Sequence, residues 1–249
     1  MTWWTGSRGT SMFFNRDEQK TRLPAEAPSP AIRKGVRFLA PRDGNFGGTW
    51  MLVNEYGLVL ALLNHYPPDA PTPVDQPTSR GLLPLTLADL ADTDAAGTCL
   101  RHQDLHAFRP FRLAALMPGR PLTLWTWDGR TLDGVEAPRQ PVSSSSFQPA
   151  VVEAERLRAY RRIAGEDPPE PPALEAFHRQ TGAWPKTDPH AICMTREDAE
   201  TVSLSRVDVS ENSIRFVYYP RRPAGLRRPG ADPFAAPVVR TLPGVLISA

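Results

Sequence analysis

A cluster of polar residues follows an apolar pair near the start of the chain. Phe13–Phe14 precede the run Asn15–Glu18, which reads Asn-Arg-Asp-Glu. A guanidinium next to carboxylates at the end of a strand can bind a substrate carboxylate or lower the pKa of a neighbouring acid. Charged surface turns have the same composition. The run therefore predicts either a ligand-binding cluster or a solvated turn.

A second group of side chains has the spacing of a metal site. His102 and His106 would share one face of a helix, Cys99 would lie one turn earlier, and Asp104 stands between the histidines. The segment lacks the Glu that follows the first His in zinc proteases, and it offers only three strong ligands. We therefore predict no metal site and no cofactor.

The other cysteine also has a histidine nearby in sequence. Cys193 follows His190 by three residues, and residues three apart on a strand point to opposite faces. A catalytic Cys–His pair is therefore not expected, and Cys193 is predicted to be a buried structural residue. His65 and His178 have no partners that the sequence brings near them.

Composition narrows the class of protein. The chain has 249 residues, a net charge of +2 with both signs mixed along it, and two cysteines. This balance argues against a nucleic-acid binder, and the cysteine count fits a reducing compartment. The longest apolar run, Leu58–Leu63, is too short to span a bilayer, and no secretory signal is visible. We expect a cytoplasmic protein that acts on a small molecule.

The first half of the chain reads as hairpins. We predict strands at Thr2–Thr5 and Ser11–Asn15, and then at Gly48–Val53 and Leu58–Asn64 around an Asn-Glu-Tyr-Gly turn. Because six successive residues of Leu58–Leu63 are apolar, this strand should be covered on both faces. A sandwich with layers above and below it is the expected architecture.

Helices and further strands follow. We predict helical segments at Leu82–Leu90 and around Leu100–Leu105, a hairpin of Leu113–Met117 with Leu122–Trp127, and a helix at Val151–Ala164. The helix should bury the stripe formed by Val151, Ala154, Leu157, Tyr160 and Ile163.

The last third should contain strands at Ala191–Thr195, Thr201–Val209 and Ile214–Tyr219. After Pro220 the Pro/Arg-rich chain should run loosely over the surface. We predict one domain at residues 1–220 with a tail at 221–249, in the α+β class, with two sheets and helices outside.

Several segments occur in an order that resembles the NRDE family, also called the transport-and-Golgi-organisation-2 family. Its name-giving motif is Asn-Arg-Asp-Glu. The similar segments are Thr2–Trp4, Asn15–Glu18, Gly47–Trp50, Asn64, Ser143–Ser146, His190–Met194 and Thr201–Ser203. The resemblance extends from about Met1 to Pro220.

The resemblance implies a fold and a site. The fold would be the four-layer αββα sandwich of two mainly antiparallel sheets found in N-terminal-nucleophile (Ntn) hydrolases such as penicillin V acylases and bile-salt hydrolases. Asn15, Arg16 and Asp17 would then lie beside the nucleophile. The Ser143–Ser146 run, Ser144 included, would either help to stabilise an oxyanion or form a polar strand end before a helix, and the second alternative is favoured. A second implied set, Trp50, Asn64 and His190, would contact the ligand.

The nucleophile itself is a separate question. Members of the family usually open with Met-Cys-Thr-Val-Thr-Trp-Trp, whereas this chain opens with Met1, Thr2 and Trp3-Trp4. Aligning the tryptophan pairs puts the Cys two residues upstream of Met1, and we hypothesise that a valine codon was read as the start. The alternatives are a lost nucleophile, or Thr2 acting as the nucleophile after removal of Met1.

The sequence is compatible with two functions. The first is an amide (C–N bond) hydrolase of the Ntn type. The second is a non-enzymatic protein that binds or carries a small ligand, such as haem or an acyl lipid, with His190 or Cys193 as an axial ligand in the haem case.

Overall fold

Two antiparallel sheets form the centre of the computed structural model, which describes residues 1–71, 75–164, 169–181, 188–228 and 230–244. The first sheet is built from β1 (Thr2–Gly6), β2 (Gly9–Gln19), β10 (Ala199–Ser210), β11 (Ser213–Pro220) and β12 (Val238–Leu242), paired in that order. The second contains β3 (Glu26–Arg33), β4 (Val36–Arg42), β5 (Met51–Asn54), β6 (Val59–Asn64), β7 (Phe111–Leu116), β8 (Thr123–Trp127) and β9 (Leu132–Glu136).

Helices cover the outer face of each sheet. Leu83 of α1 (Leu82–Thr86) and Leu100 of α2 (Thr93–His102) pack on the second sheet, against a cluster that includes Leu60. Tyr160 of α3 (Pro149–Arg161) and Phe177 of α4 (Pro171–His178) pack on Phe13 of the first sheet.

A third cluster lies between the two sheets. It includes Met12, Phe14 and Val207 of the first sheet, and Met51 and Val53 of the second. The order of layers is therefore helix, sheet, sheet, helix, and the predicted αββα sandwich is confirmed. Strand β6 is buried on both faces, as its continuous apolar run predicts.

Strand β2 is longer than its apolar residues indicate. It continues through the Asn15–Glu18 run to Gln19 because its backbone pairs with β10, from Ala199↔Gln19 to Val209↔Thr10. Of the two interpretations of this run, the solvated turn is therefore wrong. The register shifts between Thr201 and Ser203, which is a β-bulge opposite the run.

The Gly47–Trp50 segment crosses the chain at Gly81. The backbone N–H of Thr49 donates to the carbonyl of Gly81 at 2.7 Å. A Cβ atom on Gly48 would lie 2.5 Å from the carbonyl carbon of Gly81, so only glycine fits this crossing. The contact brings the segment before α1 against Trp50, which directly precedes β5.

The stripe predicted for α3 is partly wrong. Val151 and Ala154 are exposed, whereas Val152, Ala159 and Tyr160 are buried. The helix is thus rotated so that Arg156, and not Ala154, faces the first sheet.

Two predictions for the last third are also wrong. Ala191–Thr195 is not a strand, because the carboxylate of Asp188 accepts from the N–H groups of His190 and Ala191 and turns the chain there. The segment after Pro220 does not run loosely: Phe234 is fully buried, and β12 pairs with β11. Residues 229 and 245–249 of the predicted tail lie outside the described residues, and the domain boundary at residue 220 stays a prediction.

In the described ranges, no helix is long and apolar enough to cross a membrane.

Candidate active site

A cleft of ≈ 1080 Å³ opens at one end of the sandwich. Strand β2 brings the Asn15–Glu18 run to it, the Gly48–Trp50 segment and Asn64 at the end of β6 line the other sheet's side, and Ser143–Ser146 and Arg156 contribute from the region of α3. The cleft therefore collects most of the residues that the sequence motifs single out.

Alternation along β2 separates the four residues of the run. Arg16 points into the space between the sheets, where its guanidinium lies 4.4 Å from the ring centroid of Trp50. Its Nη2 atom is 2.5 Å from Asp43 and 3.0 Å from Glu18. Burial lowers the pKa of Arg16, while the two carboxylates act against that shift. Arg16 is thus a fixed, buried cation stacked on the indole that closes the cleft.

Asp17 points to the opposite face of β2, toward the helices. Its Oδ1 accepts from the hydroxyl of Thr201 at 2.5 Å, and Arg156 of α3 donates to its Oδ2 at 3.4 Å. Thr201 sits at the bulge of β10 and accepts from the N–H of Met194 at 2.9 Å. Asp17 is therefore held from both sides while it still lines the cleft.

Asn15 forms a buried network with α4. Its Nδ2 atom donates to the carbonyls of His178 and Ile192, both at 2.9 Å, and its Oδ1 lies 3.1 Å from Nδ1 of His178. On the other side of the ring, Nε2 lies 2.9 Å from the hydroxyl oxygen of Thr2. Burial holds the pKa of His178 well below its usual value, so the ring is neutral.

The amino end of β1 enters the cleft beside Asp17. The α-amino group of Met1 donates to the carbonyl of Val142 at 2.9 Å. Burial lowers the pKa of this amine to about 5; Arg156 adds to the effect and Asp17 opposes it. Met1 lines the cleft, whereas Thr2 is fully buried behind it.

The serine run lies along the cleft with its hydroxyls engaged. Ser144 donates to the carbonyl of Asn64 at 2.5 Å, and Ser145 donates to the carbonyl of Phe147 at 2.6 Å. The side chain of Asn64 donates to the hydroxyl of Tyr66 at 3.1 Å. The oxyanion role of Ser144 and the ligand role of Asn64 both stay predictions.

Three side chains that the sequence analysis considered as ligands lie elsewhere. His190 packs beside Phe147 and does not line the cleft as described. Cys193 is buried and its pKa is raised to about 11 by burial, which keeps the thiol protonated. His102 bonds to the carbonyl of Thr98, and the described residues contain no cluster of three metal-ligating side chains.

Two site residues are missed by sequence reasoning. Arg156 lies four residues after Val152 and four before Tyr160, so all three share the buried face of α3. A charged residue on a buried face would have indicated a site residue if that face had been predicted correctly. His178 was expected to have no partners; its bonds to Thr2 and Asn15 join residues more than 160 positions apart, for which no local signal exists.

The fold and the cleft together define a class. Two packed antiparallel sheets with helices on both outer faces form the sandwich fold of Ntn-hydrolase-like proteins. Two solved structures are similar in fold. Penicillin V acylase from Agrobacterium tumefaciens has a TM-score of 0.58 at 12% identity, covering 88% of this chain and 81% of that one. A mutant conjugated bile acid hydrolase from Clostridium perfringens has a TM-score of 0.53 at 10% identity, covering 94% and 88%.

Sequence comparison identifies the family. The profile described as Transport and Golgi organisation 2 matches residues 11–148, more than half of the chain, and the chain belongs to this family. The resemblance carried by the sequence motifs is thereby confirmed. A search of curated proteins finds no match to the sequence.

Proposed function

We propose that the protein is an amide hydrolase of the Ntn type that cleaves the C–N bond of a linear amide. The observation that supports this most is the amino end of β1, which enters the cleft beside Asp17 and Arg156. Burial lowers the pKa of the α-amino group of Met1 at this place. We propose that the α-amino group of the residue that carries the nucleophile is desolvated in the same cleft, where a neutral amine can accept the proton of the nucleophile.

The reaction follows from this placement. The oxygen or sulfur of the nucleophile bonds to the amide carbon, and its proton passes to the α-amino group. The C–N bond then breaks as that proton moves to the leaving amine, and water hydrolyses the resulting acyl ester or thioester. Asp17 and Arg156 orient the nucleophile and its amine, while Asn15 holds β2 against α4.

Two assignments of the nucleophile are open to experiment. One is a cysteine encoded upstream, as the family resemblance implies. The other is Thr2 after removal of Met1; its hydroxyl already lies 2.9 Å from the neutral His178. The mature amino terminus, measured by intact mass and peptide sequencing on protein from its native host, distinguishes them.

Activity is tested on N-acyl-4-nitroanilides, with each acyl-enzyme trapped for mass spectrometry. We expect turnover from the form that carries the nucleophile, and a fall in kcat/KM of about 100-fold or more in Asp17→Asn. Arg215→Ala is the control, since Arg215 is exposed on β11, away from the cleft. Absence of turnover in every form, or full activity of Asp17→Asn, would overturn the proposal.

A specific observation favours a second function, ligand binding without turnover. The guanidinium of Arg16 lies 4.4 Å from the ring centroid of Trp50 in the cleft, and this pair of a cation and an apolar ring can hold a small molecule without reacting with it. A small ligand such as haem or an acyl lipid would then occupy the cleft against Trp50 and Arg16. Loss of binding in Arg16→Ala together with no turnover in any form would support this function. Haem titration of His190→Ala examines the haem case.

A further inference from the structure

The charges that line the cleft do not balance. Six arginines and three carboxylates line it among the described residues: Arg16, Arg22, Arg80, Arg109, Arg156 and Arg196, with Asp17, Glu18 and Asp43. A cleft with an excess of fixed cations raises the local concentration of anions. The pairing of the individual groups shows where the excess lies.

Every one of the three carboxylates already has an arginine. Asp43 pairs with Arg16 and Arg22, Glu18 pairs with the same two residues, and Asp17 pairs with Arg156. Arg196 pairs with Asp198 outside the cleft lining. In the part of the chain that the structure describes, Arg80 and Arg109 are the cleft arginines with no carboxylate within 4.0 Å.

Arg80 is held in place without being neutralised. Its Nη1 atom donates to the carbonyl of Pro110 at 2.8 Å, and the hydroxyl of Tyr66 lies beside it. Burial lowers the pKa of Arg80; Tyr66 and the more distant Glu18 act against that shift, and the charge of Arg109 adds to it. A partly buried guanidinium without a counter-charge is unfavourable, and a bound anion would remove that cost.

We propose that Arg80 and Arg109 form a subsite for an anionic group, a carboxylate or a phosphate, of the small molecule that enters the cleft. A guanidinium matches both groups because its N–H donors form paired bonds to two oxygens. Arg80 directly precedes Gly81, the residue that crosses Gly48, so the subsite lies on the side of the second sheet. Arg156 approaches the cleft from α3 on the first sheet. The ligand would therefore present its anionic end away from the amino end of β1.

The subsite rests on the proposed function only because both use the same cleft. Its test measures binding of a ligand and not turnover of a substrate. Three probes share one alkyl chain and contain no amide: octanoate, octyl phosphate and 1-octanol. Calorimetric titration at low salt should show at least one of the two anions binding about 10-fold or more tighter than the alcohol. Preference for octanoate or for octyl phosphate identifies the carboxylate or the phosphate as the natural group.

Single substitutions then locate the effect. Arg80→Ala and Arg109→Ala should each reduce affinity for the preferred anion by about 10-fold and leave that for the alcohol unchanged. Arg80→Lys should retain part of the preference because it keeps the charge, and Arg215→Ala should retain all of it. Equal affinity for the three probes, no binding of any probe, or an unchanged preference in the Arg80→Ala, Arg109→Ala double variant would overturn the proposal. If the amide assays fail while the anion preference is observed, the subsite stands and only the hydrolase function is lost.

Discussion

Nδ1 of His178 faces Oδ1 of Asn15 at 3.1 Å, and this contact determines the protonation of the ring. Because Nδ2 of Asn15 donates to two backbone carbonyls, its Oδ1 is the acceptor and Nδ1 carries the proton. Nε2 is then the acceptor for the hydroxyl of Thr2. The first residue of the family motif therefore ties β1, β2 and α4 together and leaves an imidazole that is free to accept a proton from Thr2.

Replacing Asn15 with Ala removes three hydrogen bonds from a buried network. At about 1 kcal/mol each, we expect the free energy of unfolding to fall by roughly 3 kcal/mol, measured by urea denaturation. Asn64→Ala is the control, because its side chain makes one exposed bond and should change stability by less than about 0.5 kcal/mol. Equal effects of the two substitutions would contradict the structural role of Asn15.

Stability should depend on the protonation of His178. Burial holds the native pKa of His178 well below the ordinary value of 6.5. As the pH falls below that value, the unfolded chain therefore binds a proton that the native protein does not bind. The contribution is fully present above about pH 6.5 and is lost toward the lower native pKa, at up to about 1.4 kcal/mol per pH unit.

Unfolding in urea from about pH 7 to about pH 5 compares the wild type with His178→Gln. The variant should lose stability less steeply over this range. The amine of Met1, whose pKa is also lowered, is present in both proteins, so the difference in slope isolates His178. Parallel curves would show that His178 is not buried as a neutral ring.

Gly48→Ala should destabilise the crossing that carries Trp50 to the cleft. The added Cβ would lie 2.5 Å from the backbone carbon of Gly81, so one of two backbone segments must move, at a cost of about 1–3 kcal/mol. Gly225→Ala is the matched control, since no atom lies within 4 Å of its added Cβ. Thermal unfolding should show a lower Tm for the first variant only; the same Tm for both would refute a tight crossing.

The segment after Pro220 is expected to contribute to stability through Phe234. This ring is fully buried with Cys193 and Leu204, and Phe234→Ala should cost about 3–5 kcal/mol. Leu226→Ala, at a residue that is 62% exposed, should cost less than about 0.5 kcal/mol. If Phe234→Ala left the free energy of unfolding unchanged, this segment would not dock on the domain in solution.

Interactions over a long sequence distance explain where prediction from the sequence fails. The charged residues Arg16 to Glu18 have the composition of a turn, yet they belong to β2 because β10 supplies backbone partners more than 180 positions later in the chain. The prolines after Pro220 read as a loose tail, yet the pairing of β12 with β11 orders the chain there. Neither partner is encoded in the local pattern.

By itself, the sequence determined the family, the αββα class, the hairpins of β5 with β6 and β7 with β8, and the residues of the motif run, because periodicity and ordered motifs are local properties. Only the tertiary structure decided which side of β2 each motif residue faces and what it contacts. Arg16 meets Trp50 between the sheets, while Asp17 meets Arg156 under α3. The physical reason is that successive side chains of a strand point to opposite faces of the sheet. Which residues each face contacts is determined only by the packing of the layers.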